Sequence, residues 1–390
     1  MVMNILFLAV DVDLRRNRGD SIHVQELTDH LVGLGHHVAL VTSTPDHAVS
    51  TGIVHATAPA STPGQISLGW RLARRWADVI YERRVSPKLS FTISKLSRTP
   101  FVLEVNGVLE DEVENPPSNR WRPLRLKIRG SMIRRASSII AVSDGIRRDL
   151  LTRYAIPSDR IAVVPNGVSP ERFFPSEKTS CRTSLGLRPS DQVVCYIGNM
   201  ARWQGVDLLM DAADTLHSRR SSIKLLLAGD GPELQDLKAK AKGRNLGFVD
   251  FLGPVSYDRI PEIIGASDVA VAPLARNRKA SPLKVFEYMA CGRPIVVSDV
   301  DEVGNFVRMS GCGIVVNPGD PDGLADAIEW LLSHPEQAEA MGVKGRVAII
   351  QGGTWEASAR RTSLVLAGVV RKRQGVQGRT HEGTAYRRAT

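Results

Sequence analysis

The sequence is poor in several features that would have declared a class at once. Its four cysteines, Cys181, Cys195, Cys291 and Cys312, show neither paired nor metal-type spacing. That argues against a disulfide-stapled scaffold and a structural zinc site, and for reduced thiols in the cytoplasm. No run of about 18 apolar residues occurs, so no membrane-spanning helix is expected. The N-terminus, Met1 to Val10, lacks a basic lead and a small-residue cleavage site, so it reads as a first strand and not as a signal peptide. No Gly-x-Gly-x-x-Gly follows that strand. The run Leu227 to Leu234 is only a partial match, with Leu234 where a third glycine would stand, so a nicotinamide or flavin enzyme fits poorly. Asp11 and Asp13 have no third oxygen ligand nearby, and two carboxylates alone make a weak metal site; none is predicted. Aromatic residues make up 5% of the chain, and no aromatic platform accompanies its basic stretches. Nucleic acid is therefore not an expected partner.

What is present is a long chain with ample apolar residues. A length of 390 residues suggests two domains, and 43% hydrophobic with 24% charged residues is the balance of a globular protein. The net charge of +10 implies an anionic partner such as a phosphorylated ligand or a membrane surface. The charge peaks over Arg120 to Arg135 and again in the last twenty residues.

Short apolar runs alternate with helical segments throughout. Strands are predicted at 4–10, 37–42, 77–81, 101–105 and 138–142, with a helix at 21–34. A second series of strands follows at 192–197, 223–228, 249–252, 269–272, 295–297 and 313–316, with helices at 206–219, 232–242, 256–266 and 321–333. Continuous apolar strands separated by helices argue for parallel, doubly wound sheets. The fold class is therefore α/β, with two Rossmann-like domains in tandem. We expect a first domain over 1–168, a second over 169–354, a helix over 355–370 returning to the first domain, and a disordered basic tail over 371–390.

Ligands of doubly wound sheets bind beyond the carboxyl ends of the strands, so the strand-to-helix loops carry the candidates. In the first domain these are Gly19, which permits a tight turn, and His23 in the following helix; by position alone an ordinary half-buried histidine is the better reading. Glu104 and Asn106 follow the strand at 101–105. In the second domain, Gly198, Asn199, Arg202 and Gln204 follow one strand, and Gly229 and Gly231 follow the next. The stretch Lys279 to Asp299 has Ser281 as a helix N-cap with Pro282 at the first helical position. Leu283 and Lys284 lie in that first turn, where free N–H groups and a lysine suit a phosphate. Lys284, Glu287 and Tyr288 share one helix face. An ordinary helix with a solvated lysine and glutamate reads equally well from this stretch alone.

Several of these segments resemble family 4 of the retaining GT-B glycosyltransferases. Glu287-Tyr-Met-Ala-Cys-Gly-Arg-Pro-Ile-Val296 is similar to the family's "E-x-M-A-x-G-x-P-V-V" run, while Lys279 stands where its usual first glutamate lies. Gly19-Asp-Ser-Ile-His-Val24 is similar to its "G-G-x-x-x-H-V" loop. Tyr81-Glu-Arg83, Glu104-Val-Asn-Gly107 and Ser281-Pro-Leu-Lys284 resemble one branch of it. At Asn199 and Gln204 the commoner arginine and lysine are absent, with Arg202 as a substitute.

The resemblance implies a GT-B fold with a deep interdomain cleft. It also implies metal-independent transfer of a sugar from a nucleotide-diphosphate donor to a sugar or lipid-linked acceptor, with retention and without a cofactor. Glu287 would hold ribose hydroxyls. Lys284, Arg202 and the helix start at Ser281–Leu283 would neutralise the diphosphate, and Gln204 would donate a neutral hydrogen bond. The 227–234 loop and residues 255–258 would lie near the base. His23, Asn106 and Glu104 would line the acceptor side. Many relatives have a histidine at the place of Asn106, which can orient a hydroxyl but cannot take up a proton. The basic helix over Arg120 to Arg135, with Leu124, Ile128 and Met132 at fourfold spacing, suits an anionic membrane surface. A cytoplasmic enzyme peripheral to the inner face is the resulting expectation. Two other readings stay open: a non-catalytic GT-B subunit that binds a nucleotide sugar or a partner enzyme, and a sugar-nucleotide epimerase.

Overall fold

A computed structural model describes the chain except residues 17–18, 46–48, 85–86, 108–121, 275–282, 301 and 387–390; at 122, 123, 125 and 376–386 it describes the backbone alone. The chain forms two compact units, Met1–Asn166 with Trp355–Thr390, and Gly167–Thr354.

The first unit runs β1 (Asn4–Ala9), α1 (Gly19–Gly33), β2 (His37–Thr42), β3 (Ile53–Thr57), α2 (Thr62–Arg75), β4 (Val79–Arg83), α3 (Lys88–Ser97), β5 (Phe101–Val105), α4 (Arg122–Ile133), β6 (Ser138–Ala141), α5 (Asp144–Tyr154) and β7 (Ile161–Val163). Among the described residues its sheet is seven parallel strands in the order β3-β2-β1-β4-β5-β6-β7. β1 registers Asn4 to Ala9 against His37 to Thr42 of β2, and Ile5 to Leu8 against Val79 to Glu82 of β4. The strand order reverses between β1 and β4, the place where doubly wound sheets hold ligands.

The second unit runs α6 (Lys178–Ser184), β8 (Gln192–Ile197), α7 (Val206–Arg219), β9 (Ile223–Ala228), α8 (Leu234–Gly243), β10 (Val249–Gly253), α9 (Ile260–Ala266), β11 (Val269–Ala272), α10 (Leu283–Ala290), β12 (Ile295–Ser298), α11 (Val303–Ser310), β13 (Gly313–Val316), α12 (Pro321–Ser333) and α13 (Pro335–Gly352). Its sheet order is β10-β9-β8-β11-β12-β13, again all parallel among the described residues. The reversal falls between β8 and β11. Both sheets are apolar on both faces, and the unit cores are built from those strands and the inward faces of the covering helices.

Some elements depart from the expected boundaries. β3 is an edge strand, with Val54 65% exposed, so it lacks the apolar run that marks a central strand. β4 lies two residues later than expected at both ends, so Glu82 and Arg83 belong to the strand. α13 escapes the hydrophobic pattern because its buried face is Ala338, Gly342, Gly345 and Ile349, while Val343, Val347 and Ile350 face outward. A Cβ on Gly342 would lie 2.0 Å from the Gly292 carbonyl oxygen, so this face works by close approach and not by bulk.

The last helix, α14 (Trp355–Tyr386), belongs to the first unit, where Ala359, Leu366, Ala367, Val369 and Val370 join the core around β1. Ser363 is bonded to His36 Nε2 at 2.7 Å, and Arg373 donates to the Asp78 carbonyl oxygen at 3.3 Å. The expectation of a disordered tail from residue 371 is thus corrected over 371–386. No proline interrupts this stretch, Arg373 anchors it beyond the last buried valine, and each further helical residue is cheap once a helix is nucleated.

One buried group is held against its own interest. Glu82 is 1% exposed, and its carboxylate accepts from Ser90 N at 3.0 Å, which caps α3. Burial outweighs the help of Ser90 and raises its carboxyl from 4.5 to about 7. A carboxyl raised on folding is ionised in the unfolded chain while protonated in the folded one. Its destabilisation therefore grows as pH rises from 4.5 to about 7 and is full above that. Glu82→Gln, which can still accept from Ser90, is expected to gain about 3 kcal/mol at pH 8 and nothing at pH 4.5 in urea unfolding. A gain that did not change with pH would refute this account.

Candidate active site

In the second unit, the loops after β8 and β9 meet. The Met200 N–H donates to the Asp230 carbonyl at 2.8 Å, and Glu233 N to the Met200 carbonyl at 2.9 Å. This approach requires glycine. Gly198 and Gly229 have φ of +143° and +135°, and a Cβ on Gly229 would lie 1.9 Å from the Gly198 oxygen. A Cβ on Gly231 would come within 2.6 Å of Met200 N. These two glycines are thus packing positions that bring the loops together.

Lys284 enters this junction from the first turn of α10. Its Nζ donates to the Tyr196 hydroxyl at 2.8 Å and to Gln204 Oε1 at 2.6 Å, and it lies 4.1 Å from the Tyr196 ring centre. Gly198 leaves room for it, since a Cβ there would sit 2.7 Å from Nζ. The partners of the ammonium among the described residues are neutral, and of its three N–H donors they leave one for a ligand. Burial pushes Lys284 down to about 7, against the pull of Glu287. Glu287, 7% exposed one turn on, is likewise raised to about 7 by burial, against a hydrogen bond from Tyr257 and the charge of Lys284. Neither charge is fully compensated by the protein, the state of a site arranged for a further charged ligand.

The neighbours take different parts. Gln204 is buried and its Oε1 accepts from Lys284, so it positions the lysine, while the amide's donors sit on Nε2. Arg202 is exposed and has no ion pair among the described residues, leaving it available to an anion. Asn199 is exposed, and its carbonyl oxygen lies 2.7 Å from the Tyr196 hydroxyl. Leu283 opens α10, and Ser281, Pro282 and Lys279 lie outside the described residues.

The first unit carries a separate buried network. His23, 3% exposed on α1, has Nε2 2.9 Å from Glu104 Oε1 and 3.0 Å from Oε2, while Nδ1 is 2.8 Å from Asn166 Oδ1. The Tyr81 hydroxyl donates to the same carboxylate, and Arg83 Nε lies 3.6 Å from Oε1. Trp355 sets its ring edge-on to His23 at 5.2 Å. Burial opposes ionisation of Glu104, but His23, Arg83 and Tyr81 outweigh it and hold its carboxyl down to about 2. Burial and the neighbouring Glu104 carboxylate together push Tyr81 well above its ordinary range. With both ring nitrogens engaged by side-chain oxygens, His23 is held in place by the protein and offers neither nitrogen to a substrate.

Asn106, just past β5, is half-buried, and its Oδ1 has no hydrogen-bond partner among the described residues. Among the described residues it is one polar group at this end of the sheet that a ligand could engage. Gly19 opens α1. Asp11 and Asp13 are tied to arginines, with Arg84 at 3.4 Å from Asp11 and Arg15 at 2.9 Å from Asp13.

Two family descriptions fit the chain, "Glycosyltransferase Family 4" over residues 18–172 and "Glycosyl transferases group 1" over residues 177–348. The chain belongs to the group 1 glycosyltransferases. A D-inositol 3-phosphate glycosyltransferase of Segniliparus rotundus is 29% identical over 240 residues, which is 60% of this chain and 53% of that protein, so the match spans about half of the relative's length. Among solved structures, sucrose-phosphate synthase from Thermosynechococcus elongatus superposes with a TM-score of 0.79 at 21% identity, covering 94% of this chain and 99% of that one. Anabaena HepE, solved in complex with UDP-glucose, superposes with a TM-score of 0.77 at 18% identity, covering 94% and 100%. These structures share the GT-B fold with the chain.

The sequence reading named Lys284, Glu287, His23 and Glu104 as candidates but not the side chains that hold them. Tyr196, Tyr257, Tyr81 and Asn166 come from other strands, loops and helices. The one available signal was Tyr81 itself, which stood in the Tyr81-Glu-Arg83 motif as a pattern and not as a partner.

Proposed function

We propose that this group 1 glycosyltransferase moves a sugar from a nucleotide-diphosphate donor to an acceptor hydroxyl, with retention at the anomeric carbon and without a metal or cofactor. The observation that carries this reading is Lys284 at the junction of two glycine loops, with neutral partners at 2.6 and 2.8 Å and a donor to spare. The HepE structure with UDP-glucose supports a donor of this kind. In the reaction the bond from the anomeric carbon to the diphosphate oxygen breaks as the acceptor oxygen bonds to that carbon. The hydroxyl proton passes to the leaving phosphate. Lys284 and Arg202 stabilise the charge that develops on the diphosphate. Glu287, oriented by Tyr257, accepts from ribose hydroxyls. In the first unit Asn106 orients the acceptor hydroxyl, and Glu104 and His23 hold the floor beneath it. The Tyr81-Glu-Arg83 and Glu104-Val-Asn-Gly107 runs assign it to the branch bearing those motifs. The acceptor is a sugar or a lipid-linked sugar of polysaccharide, glycolipid or glycoconjugate synthesis. We place the enzyme in the cytoplasm, peripheral to an anionic membrane surface that it meets through α4.

The test is incubation with UDP-, GDP- and ADP-sugars, with and without candidate acceptors and with a chelator, followed by NMR of the product. Transfer that keeps the donor's anomeric configuration and survives chelation is expected. Binding without turnover over a broad acceptor panel would identify a non-catalytic subunit, and a new sugar nucleotide formed without acceptor would identify an epimerase.

A further inference from the structure

At the amino-terminal edge of the first unit's sheet, opposite the strand ends that carry Glu104 and Asn106, α4 and α5 enclose a cavity of about 320 Å³. It is lined by Leu126, Lys127, Gly130, Arg134, Arg153 and Tyr154. Gly130 lets α4 lie close to the Tyr154 ring, since a Cβ there would meet its Cδ1 at 3.1 Å. Arg134 is fixed in place. Its Nη1 donates to the Tyr154 carbonyl at 3.1 Å, and its own carbonyl receives Arg160 Nη1 at 2.9 Å. The Arg134 guanidinium thus meets a carbonyl oxygen and its main chain meets a second cation, so neither contact neutralises its charge. Lys127 is exposed and has no carboxylate partner among the described residues. Arg153 is paired with Asp149 at 3.5 Å. Among the described residues the lining therefore carries three cations, one of them paired with a carboxylate behind it, around an aromatic ring. Beside it on α4, Leu124 and Ile128 are 49% and 50% exposed and one turn apart.

We propose that this cavity binds the phosphate-bearing headgroup of an anionic membrane lipid, with Leu124 and Ile128 resting against the acyl layer. The cations match a phosphodiester, the cavity has room for a glycerophosphate-sized group, and paired exposed aliphatics beside a basic pocket suit the headgroup boundary. No helix among the described residues is long and apolar enough to cross a membrane, so attachment here would be at the surface. The inference rests on the membrane part of the proposed function and is independent of the donor site.

The experiment is co-sedimentation of the full chain with phosphatidylcholine vesicles, with and without phosphatidylglycerol, at fixed ionic strength. Wild type is expected to bind the anionic vesicles, and Lys127→Glu with Arg153→Glu to reduce that binding about tenfold or more. The same charge change at Arg371 and Lys372, which lie exposed on α14, is expected to leave it within about twofold. Leu124→Asn with Ile128→Asn should weaken binding without altering net charge. Nucleotide binding and the unfolding temperature of each variant report that it is folded, and Lys127→Ala serves as a milder second variant. Equal loss from the α4–α5 and α14 pairs would overturn the pocket in favour of diffuse charge attraction. Failure of wild type to bind any anionic vesicle would overturn the membrane reading itself, while sugar transfer to a soluble acceptor would still stand. Saturable binding of glycerol 3-phosphate that is lost in the α4–α5 variant, with no vesicle binding, would instead assign the cavity to a free phosphorylated metabolite.

Discussion

Lys284→Ala is expected to weaken binding of a nucleotide diphosphate by between about tenfold and 100-fold, the range for one charge-assisted hydrogen bond. The substitution removes the donor that satisfies the Tyr196 hydroxyl and Gln204 Oε1, and it takes from Glu287 the charge one turn away. The pH dependence follows from the same geometry. Burial holds Lys284 at about 7, so the ammonium that a diphosphate needs is lost as pH rises through that value. Glu287, raised to about 7 by burial, is a better acceptor for ribose hydroxyls once ionised, so its contribution is lost as pH falls through the same region. Affinity should therefore peak near pH 7. Lys284→Arg, which stays charged throughout, should flatten the alkaline limb while leaving the acid limb in place. Calorimetric titration across pH measures both. An alkaline limb unchanged in Lys284→Arg would show that the lysine is not the titrating group.

Glu104→Ala is expected to destabilise the first unit by about 3–5 kcal/mol, because it leaves His23, Tyr81 and Arg83 buried around a missing anion. Glu104→Gln isolates the charge. The native carboxyl sits at about 2 against an ordinary 4.5, so its ionic contribution is present above 4.5 and disappears as pH falls through about 2. That interval corresponds to about 3 kcal/mol at neutral pH. Urea unfolding of wild type and Glu104→Gln should differ by roughly that amount at pH 7 and converge toward pH 2. A difference independent of pH would mean that shape, not charge, makes Glu104 necessary. Transfer activity should fall in the same variant, since His23 loses the carboxylate that fixes Nε2.

The central strands were legible because each is a short apolar run buried on both faces, and β2, β5, β8, β9 and β11 fall where that pattern puts them. The alternation with helices was enough to specify two parallel sheets. The shared helix face of Lys284 and Glu287 was also legible, since helical spacing alone puts them there. Elements whose burial does not depend on apolar bulk were not. β3 is half-exposed, and α13 buries glycine and alanine while its valines face outward. The continuation of α14 past Val370 depends on Arg373 finding the Asp78 carbonyl far back in the chain.

The same division runs through the candidate site. The sequence by itself determined which chemical groups are present: a lysine and a carboxylate one turn apart, a histidine after the first strand, and an asparagine where many relatives keep a proton acceptor. Only the tertiary structure decided their states. The Gln204 oxygen is taken by Lys284, and His23 is closed off between Glu104 and Asn166, residues 81 and 143 positions away. A side chain's charge and availability depend on what surrounds it in space, and in a doubly wound sheet those surroundings are assembled from strands and loops distant in the chain.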